Sequence, residues 1–294
     1  MTTADRSHRL ALRKGDTIAI VAGSGRLPID LAEDLKTRNI PAFVVMLEGE
    51  ADVSLSAYDH EVLALENFAD FIPLLKRRGA THAVFAGGIG RRPRLLRLKP
   101  SLALLSMLTR IVVALAKGDD GLLRVIAGMV EASDVKVVGG HEIVPDLLAA
   151  EGVMTRVGPT VRDRADVAAA WRAARAIGAL DIGQAAVAIG GRAIALEGIE
   201  GTEGLLDRTR ELRSHGRIAG KTRGVLAKCA KPGQDVRLDL PAIGPATVVQ
   251  AHAAGLAGIA VEAGRSLVLD FGRVVEEADR LGVFVVGLPS EKSP

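Results

Sequence analysis

Two polar residues in this chain of 294 residues stand where apolar neighbours make them costly. Lys228 closes the apolar run Val225–Lys228, which reads as a strand, so its ammonium is expected at a strand's carboxyl end. Asp239 sits in Arg237-Leu238-Asp239-Leu240-Pro241, a carboxylate between leucines on a rigid turn. Desolvating it is expensive unless a cation compensates. The plain alternative is an ion pair with Arg237 or a cap on the next turn, and the residues by themselves favour that alternative.

Glycine-rich turns supply the other chemistry. Gly23-Ser24-Gly25 follows a predicted strand and precedes a predicted helix, where backbone amides and a helix N-terminus favour an anion. A dinucleotide fingerprint needs a third glycine where this chain has Pro28, so a nicotinamide or flavin motif is incomplete. Gly216–Thr222 (GRIAGKT) has three residues between its first glycine and Gly-Lys where a P-loop needs four, and it follows a helix; it is rejected. Gly139-Gly140-His141-Glu142 follows a strand end, the place where open α/β sheets hold ligands, though a lone histidine is usually structural.

Other polar groups have simpler readings. Thr202 is expected to cap a helix and Glu203 to suit its positive end, which leaves Glu197, at the end of an apolar strand, unexplained. Asp119 and Asp120 read as caps of the following helix. Cys229, the single cysteine, reads as a small core residue, excludes an internal disulfide and suggests a reducing compartment. Arg91, Arg92, Arg94, Arg97 and Lys99 form a basic run interleaved with leucines. A solvated face is its commoner reading, and an anionic lipid leaflet the minority one.

These residues must be held by regular elements, and the patterning predicts them. Strands are expected at Thr17–Ala22, Ala42–Leu47, His82–Ala86 and Val135–Val138. They alternate with helices at Pro28–Arg38, from Asn67 (as cap) to Arg78, Ser101–Ala116 and Leu122–Ala132. That alternation implies an α/β fold whose N-terminal domain carries a mainly parallel, Rossmann-like sheet. The second half reads as a mixed α/β, or α+β, domain. It has a helix at Asp163–Ile177 and a hairpin of Ala185–Ile189 and Ala193–Glu197 around Gly190-Gly191. A helix at Thr202–Arg213 and another starting at Pro245 follow. The expected division is an N-terminal domain over 1–151, of which 1–15 is a ragged leader, a linker over 152–162 and a C-terminal domain over 163–294 that carries the expected catalytic acid.

Composition narrows the function. Hydrophobic residues make up 48% and charged residues 25%, the proportions of a globular protein. With 38 basic and 35 acidic residues and 3% aromatics, the chain lacks the basic field and stacking faces of a nucleic-acid binder. Leu240–Val261 holds no charged residue and is long enough to span a bilayer, but Pro241, Gly244, Pro245, Gly255 and Gly258 break it into loop, helix and strand.

The ordered segments resemble the LpxI family of UDP-2,3-diacylglucosamine pyrophosphatases. In the first half they are IAIVAGSGRLP (18–28), FAGGIGRRP (85–93), KGDDGLLR (117–124) and GGHEI (139–143). In the second they are DIGQAA (181–186), EGIEGTEGLL (197–206), GVLAKCAKPGQD (224–235), RLDLPAIGPATV (237–248) and HAAGLAGIAVEAG (252–264). The resemblance implies two α/β domains holding a nucleotide-lipid between them. It implies cleavage of the UDP pyrophosphate to UMP and 2,3-diacylglucosamine 1-phosphate in lipid A assembly, with Mg²⁺ or another divalent cation. The family's catalytic carboxylate, also the expected metal ligand, matches Asp239. Its substrate cleft is similar at Gly23, Ser24, Gly25, Ala86, Gly87, Gly88, Gly140, His141, Gln184, Glu200, Gly201, Thr202, Glu203 and Lys228. The chain is expected to be cytoplasmic, with peripheral contact at the inner leaflet and a homo-oligomer left open; Leu102–Leu108 and Ala251–Ala260 are candidate walls for acyl chains, with ordinary core the safer reading of both. Rival readings are a nucleotide-binding module without turnover and a nucleotide-cofactor oxidoreductase.

Overall fold

The computed structural model describes residues 9–90, 119–218 and 223–290, which form two units. One holds 9–90 and 119–145 together with 235–239; the other holds 146–218, 223–234 and 240–290. The basic run from Arg91 to Lys99, the Ser101–Ala116 helix and the Leu102–Leu108 wall lie outside the described residues, as does the end of Gly216–Thr222.

In the N-terminal unit five strands, β1 (Ile18–Ala22), β2 (Ala42–Leu47), β3 (His60–Leu63), β4 (His82–Ala86) and β5 (Lys136–Val138), make one fully parallel sheet in the order β3-β2-β1-β4-β5. The central runs IAIVA and AFVVML are apolar because both faces are covered. Ile18, Ile20 and Val44 pack on one face with Leu31 and Leu35 of helix α1 (Leu27–Thr37). Ala19, Val21 and Val45 pack on the other, with Phe71 and Leu75 of α2 (Phe71–Arg77) and Ala127 and Val130 of α3 (Asp119–Glu131). Pro28 lies in the first turn of α1, where its missing N–H costs nothing. A single-turn helix, α4 (Gly140–Ile143), ends the sheet.

The expected cap at Asn67 is corrected. Leu65–Asp70 is a 3₁₀ segment with Asn67 outside helical geometry, and the α-helix begins at Phe71. Pro73 explains the late start: it falls in the first turn of a helix beginning at Phe71, but would interrupt the ladder of one capped at Asn67.

The C-terminal unit carries β6 (Gly152–Val153), β7 (Ala185–Ile189), β8 (Arg192–Leu196), β9 (Val225–Lys228), β11 (Gly258–Glu262) and β13 (Phe284–Leu288) in one sheet. Its order is β6-β13-β11-β9-β7-β8, and β10 (Ala242–Ile243) pairs separately with β12 (Leu267–Val268). β9, β11 and β13 run parallel, whereas β7, β8 and β6 pair antiparallel, so the sheet is mixed. The β7–β8 hairpin turns through Gly190 (φ 62°) and Gly191 (φ 77°), the left-handed pair that a two-residue turn requires. Helices α5 (Arg164–Ala179), α6 (Gly201–Leu212), α7 (Pro245–Ala253) and α8 (Phe271–Leu281) cover the sheet. The uncharged stretch Leu240–Val261 divides into β10, α7 and most of β11. No helix among the described residues is long and apolar enough to cross a membrane.

Asp163 ties α5 to the sheet. Its side chain is fully buried and takes Arg223 Nε at 2.7 Å, Arg223 Nη2 at 2.8 Å and the Thr160 hydroxyl at 2.6 Å. Burial alone would raise its pKa, but Arg223 and Thr160 outweigh that and hold it at about 2. A carboxylate depressed in this way stabilises the fold above its unfolded pKa, and the contribution fades as pH falls through the native value. We therefore expect stability to drop by about 2 kcal/mol between roughly pH 4 and pH 2. Asp163→Asn should remove that segment of the acid-unfolding curve, as followed by far-UV circular dichroism.

Candidate active site

Strand order places the glycine turns. In the sequence 3-2-1-4-5 the connections reverse direction between β1 and β4, and ligands of such sheets bind outside the carboxyl ends at that reversal. Gly23-Ser24-Gly25 leaves β1 there and Gly87-Gly88 leaves β4. Ala86 is the last residue of β4. The two turns clasp each other. Gly23 N–H donates to Ala86 O (2.8 Å) and Ser24 N–H to Gly88 O (2.8 Å), while Gly88 N–H returns to Ser24 O (3.0 Å). The Ser24 hydroxyl adds a bond to Gly88 O at 3.1 Å.

The amides of Gly23, Ser24 and Gly88 donate within the protein itself. The clasp holds exposed Ser24, Gly25 and Gly87 at the reversal point, with the first turn of α1 directly behind Gly25. It also explains the residue types. A methyl group on Gly23 would run into the Gly88 carbonyl, and one on Gly87 into Ser24 O.

The segment that carries Asp239 packs on the same unit. Segment 235–239 belongs to the N-terminal unit, and buried Leu238 joins the core of Ala19, Val137 and Phe71. Arg237 lies over Gly139, just past β5: a Cβ on Gly139 would sit 3.2 Å from Arg237 Cα and collide with the His141 ring. The Arg237 guanidinium bonds Asp235 (2.7 and 3.0 Å), Glu131 (2.7 Å) and the Val137 carbonyl (3.3 Å). Arg237 holds the Asp235 carboxyl below the usual range. The ion pair anticipated for Asp239 is thus made by Asp235. Asp239 is half-buried at the end of this anchored turn, its amide 3.3 Å from Asp235 O. Gly140 is buried against Leu27 and Leu31 of α1, and His141 is half-buried beside it. A Glu142 carboxylate caps Gly139 N–H at 2.8 Å.

The C-terminal unit assembles a second group by antiparallel pairing. Lys228 ends β9 opposite Ala185 at the start of β7, so Gln184 lies beside it, and the Gln184 carbonyl accepts Cys229 N–H at 2.9 Å. The hairpin then brings Glu197, just past β8, back to Ala185, whose carbonyl takes Glu197 N–H at 2.8 Å. Glu197 and Lys228 are both buried, with 5% and 8% exposure. Glu197 Oε2 accepts Gln184 N–H at 2.7 Å, and Oε1 accepts the Thr202 hydroxyl at 2.6 Å. Lys228 Nζ donates to Thr202 Oγ1 at 2.9 Å and to Ala242 O at 3.0 Å.

Thr202 is therefore not the helix cap expected of it. Glu200 occupies the N-cap position of α6, and the Thr202 hydroxyl is drawn to Glu197 and Lys228. Gly201 opens the helix; Glu203 is exposed in its first turn. Glu200 is exposed and paired with Arg208 at 2.8 Å; its own amide and then Arg208 hold its carboxyl low. The Gln184 side-chain oxygen is buried with no hydrogen-bond partner among the described residues. Cys229 is buried, and that burial, with Glu262 adding, pushes its thiol up, as expected of a core residue rather than a nucleophile.

The sequence-predicted residues thus gather in two sets, one on each unit. Gly23, Ser24, Gly25, Ala86, Gly87, Gly88, Gly140 and His141 lie at the carboxyl edge of the parallel sheet, and Asp239 ends the segment that packs on that unit. Gln184, Gly201, Thr202 and Lys228 share one end of the mixed sheet, with Glu200 and Glu203 exposed at its rim. Glu197 links that second set, although its type alone did not mark it as part of a site.

Comparison with known proteins follows the same division. Residues 17–147 match the family model of the LpxI N-terminal domain, and residues 150–286 that of the LpxI C-terminal domain. The chain belongs to the LpxI family. It is 38% identical over 278 residues to the UDP-2,3-diacylglucosamine pyrophosphatase LpxI of Caulobacter vibrioides, covering 94% of this chain and 99% of that relative. The two LpxI domain models meet near the division of the structure at Pro145. The strand Gly152–Val153, within the stretch read as a linker, pairs with β13 in the LpxI C-terminal domain.

Proposed function

We propose that this chain hydrolyses the pyrophosphate of UDP-2,3-diacylglucosamine, releasing UMP and 2,3-diacylglucosamine 1-phosphate. Full-length similarity to a relative with that activity carries the reading, and the two residue sets support it. Hydrolysis of a phosphoanhydride needs positioning and charge stabilisation more than covalent chemistry. Lys228 supplies a fixed positive charge for a phosphate oxygen. The buried Gln184 oxygen offers an acceptor to a ligand hydroxyl or N–H. Asp239 accepts the proton of the attacking water or holds a cation.

The donor chemistry fits a hard cation carried in with the substrate. Mg²⁺ keeps several waters and takes one or two carboxylates plus phosphate oxygens, which Asp239 and a pyrophosphate provide. Among the described residues no three His, Cys, Asp or Glu side chains gather into a protein cage. When bound, the cation would neutralise phosphate oxygens as a Lewis acid.

The reaction is followed by UMP release. EDTA should abolish it and excess Mg²⁺ restore it; unchanged turnover in EDTA would remove the metal from the scheme. In oxygen-18 water, attack at the β-phosphorus puts the label in the sugar phosphate. Label in UMP would mean attack at the α-phosphorus instead.

A further inference from the structure

We infer that Glu197 is a positioning residue that sets the Lys228 ammonium through the hydroxyl of Thr202. The inference rests on the role given to Lys228 above. The geometry allows one arrangement of protons. An ammonium can only donate, so at 2.9 Å the Thr202 oxygen must accept from Lys228. The hydroxyl's single proton then points the other way, to Glu197 Oε1 at 2.6 Å, a charge-assisted bond. Glu197 is fixed in turn by Gln184 N–H on its second oxygen, at 2.7 Å.

Glu197 thus accepts from two partners at once and leaves Thr202 one orientation. Three separate elements contribute: the start of β7, the end of β8 and the first turn of α6. The Thr202 hydroxyl links the two groups, so the place of the Lys228 ammonium on Thr202 and the Ala242 carbonyl depends on Glu197 through Thr202.

The test is steady-state hydrolysis of UDP-2,3-diacylglucosamine by the full chain. Thr202→Val keeps the shape and removes the relay. It should lower kcat by about ten- to a hundredfold, the effect of losing a hydrogen bond to a charged group, with KM little changed. Thr202→Ser, which restores the hydroxyl, should recover most of the rate. Glu197→Gln can accept at only one oxygen and should lose about tenfold. Joined to Thr202→Val it should cost little more than the single change, because the two act in series. Loss of rate in Thr202→Val without recovery in Thr202→Ser overturns the inference, as do additive losses in the double variant. If Glu197→Gln fails to fold, the Thr202 pair still decides. Lys228→Ala separates the two layers. If it retains full rate, the role of Lys228 fails; if it loses the rate while Thr202→Val keeps it, only the Glu197 inference fails.

Discussion

Asp239→Asn should bind UDP-2,3-diacylglucosamine and fail to cleave it. The substitution keeps size and hydrogen-bonding shape and removes one negative charge. The turn that carries the residue is held elsewhere, by Asp235 and Glu131 on Arg237 and by Leu238 in the core, so the fold should survive. On the proposed roles, kcat falls by about 10²–10⁴-fold, the usual worth of a positioned proton acceptor. The size of the loss does not separate the two roles, but metal titration does. A variant with weakened Mg²⁺ affinity in the presence of substrate marks Asp239 as cation holder. Unchanged affinity with lost turnover marks it as proton acceptor. Turnover within a fewfold of wild type would remove Asp239 from the chemistry.

The second large effect concerns the clasp at the sheet reversal. Gly23→Ala should damage both stability and turnover, because the added methyl meets the Gly88 carbonyl, backbone on both sides, with no flexible side chain to give way. Relief requires the two turns to separate, breaking the bonds between Gly23 and Ala86 and between Ser24 and Gly88. Overpacking of this kind costs about 1–3 kcal/mol, and here the lost hydrogen bonds add to it. Ser24→Ala is the control: it removes the hydroxyl bond to Gly88 alone and should cost about 1 kcal/mol with the clasp intact. Thermal unfolding and substrate affinity measured on both variants check the pair. A Gly23→Ala protein with unchanged melting and turnover would show that the clasp has no part in either.

Much of this frame could be read from the chain because the periodic signals were strong. The runs at 18–22, 42–47, 83–86 and 225–227 are continuously apolar, and they fold as strands. β3 escaped because His60-Glu61-Val62-Leu63 lies at a sheet edge with one buried residue, which leaves no apolar run to detect. The helix at Phe71 was misplaced because asparagine is a good cap by type, while the constraint imposed by Pro73 acts from six residues away.

The candidate sites divide in the same manner. Glycine turns after strands pointed to the reversal between β1 and β4, since composition and local order suffice there. What those turns do was hidden, because their amides are claimed by each other across more than sixty residues of sequence. Thr202 was misread for a similar reason. Its neighbours in sequence indicate a cap, whereas its partners are Glu197 and Lys228, and only the order of β8, β7 and β9 brings them within reach. Asp239 looked ready to pair with Arg237, two residues away. That arginine is claimed by Asp235 and by Glu131, more than a hundred residues distant.

The most direct test of the central claim is incubation of the purified wild-type chain with UDP-2,3-diacylglucosamine and Mg²⁺, with products resolved by mass spectrometry. The account predicts UMP and 2,3-diacylglucosamine 1-phosphate in equal amounts, at a rate lost on adding EDTA. A chain that binds the nucleotide-lipid and leaves it intact would contradict it and make this a binding module, and oxidation or reduction of a nicotinamide dinucleotide in place of cleavage would contradict it outright.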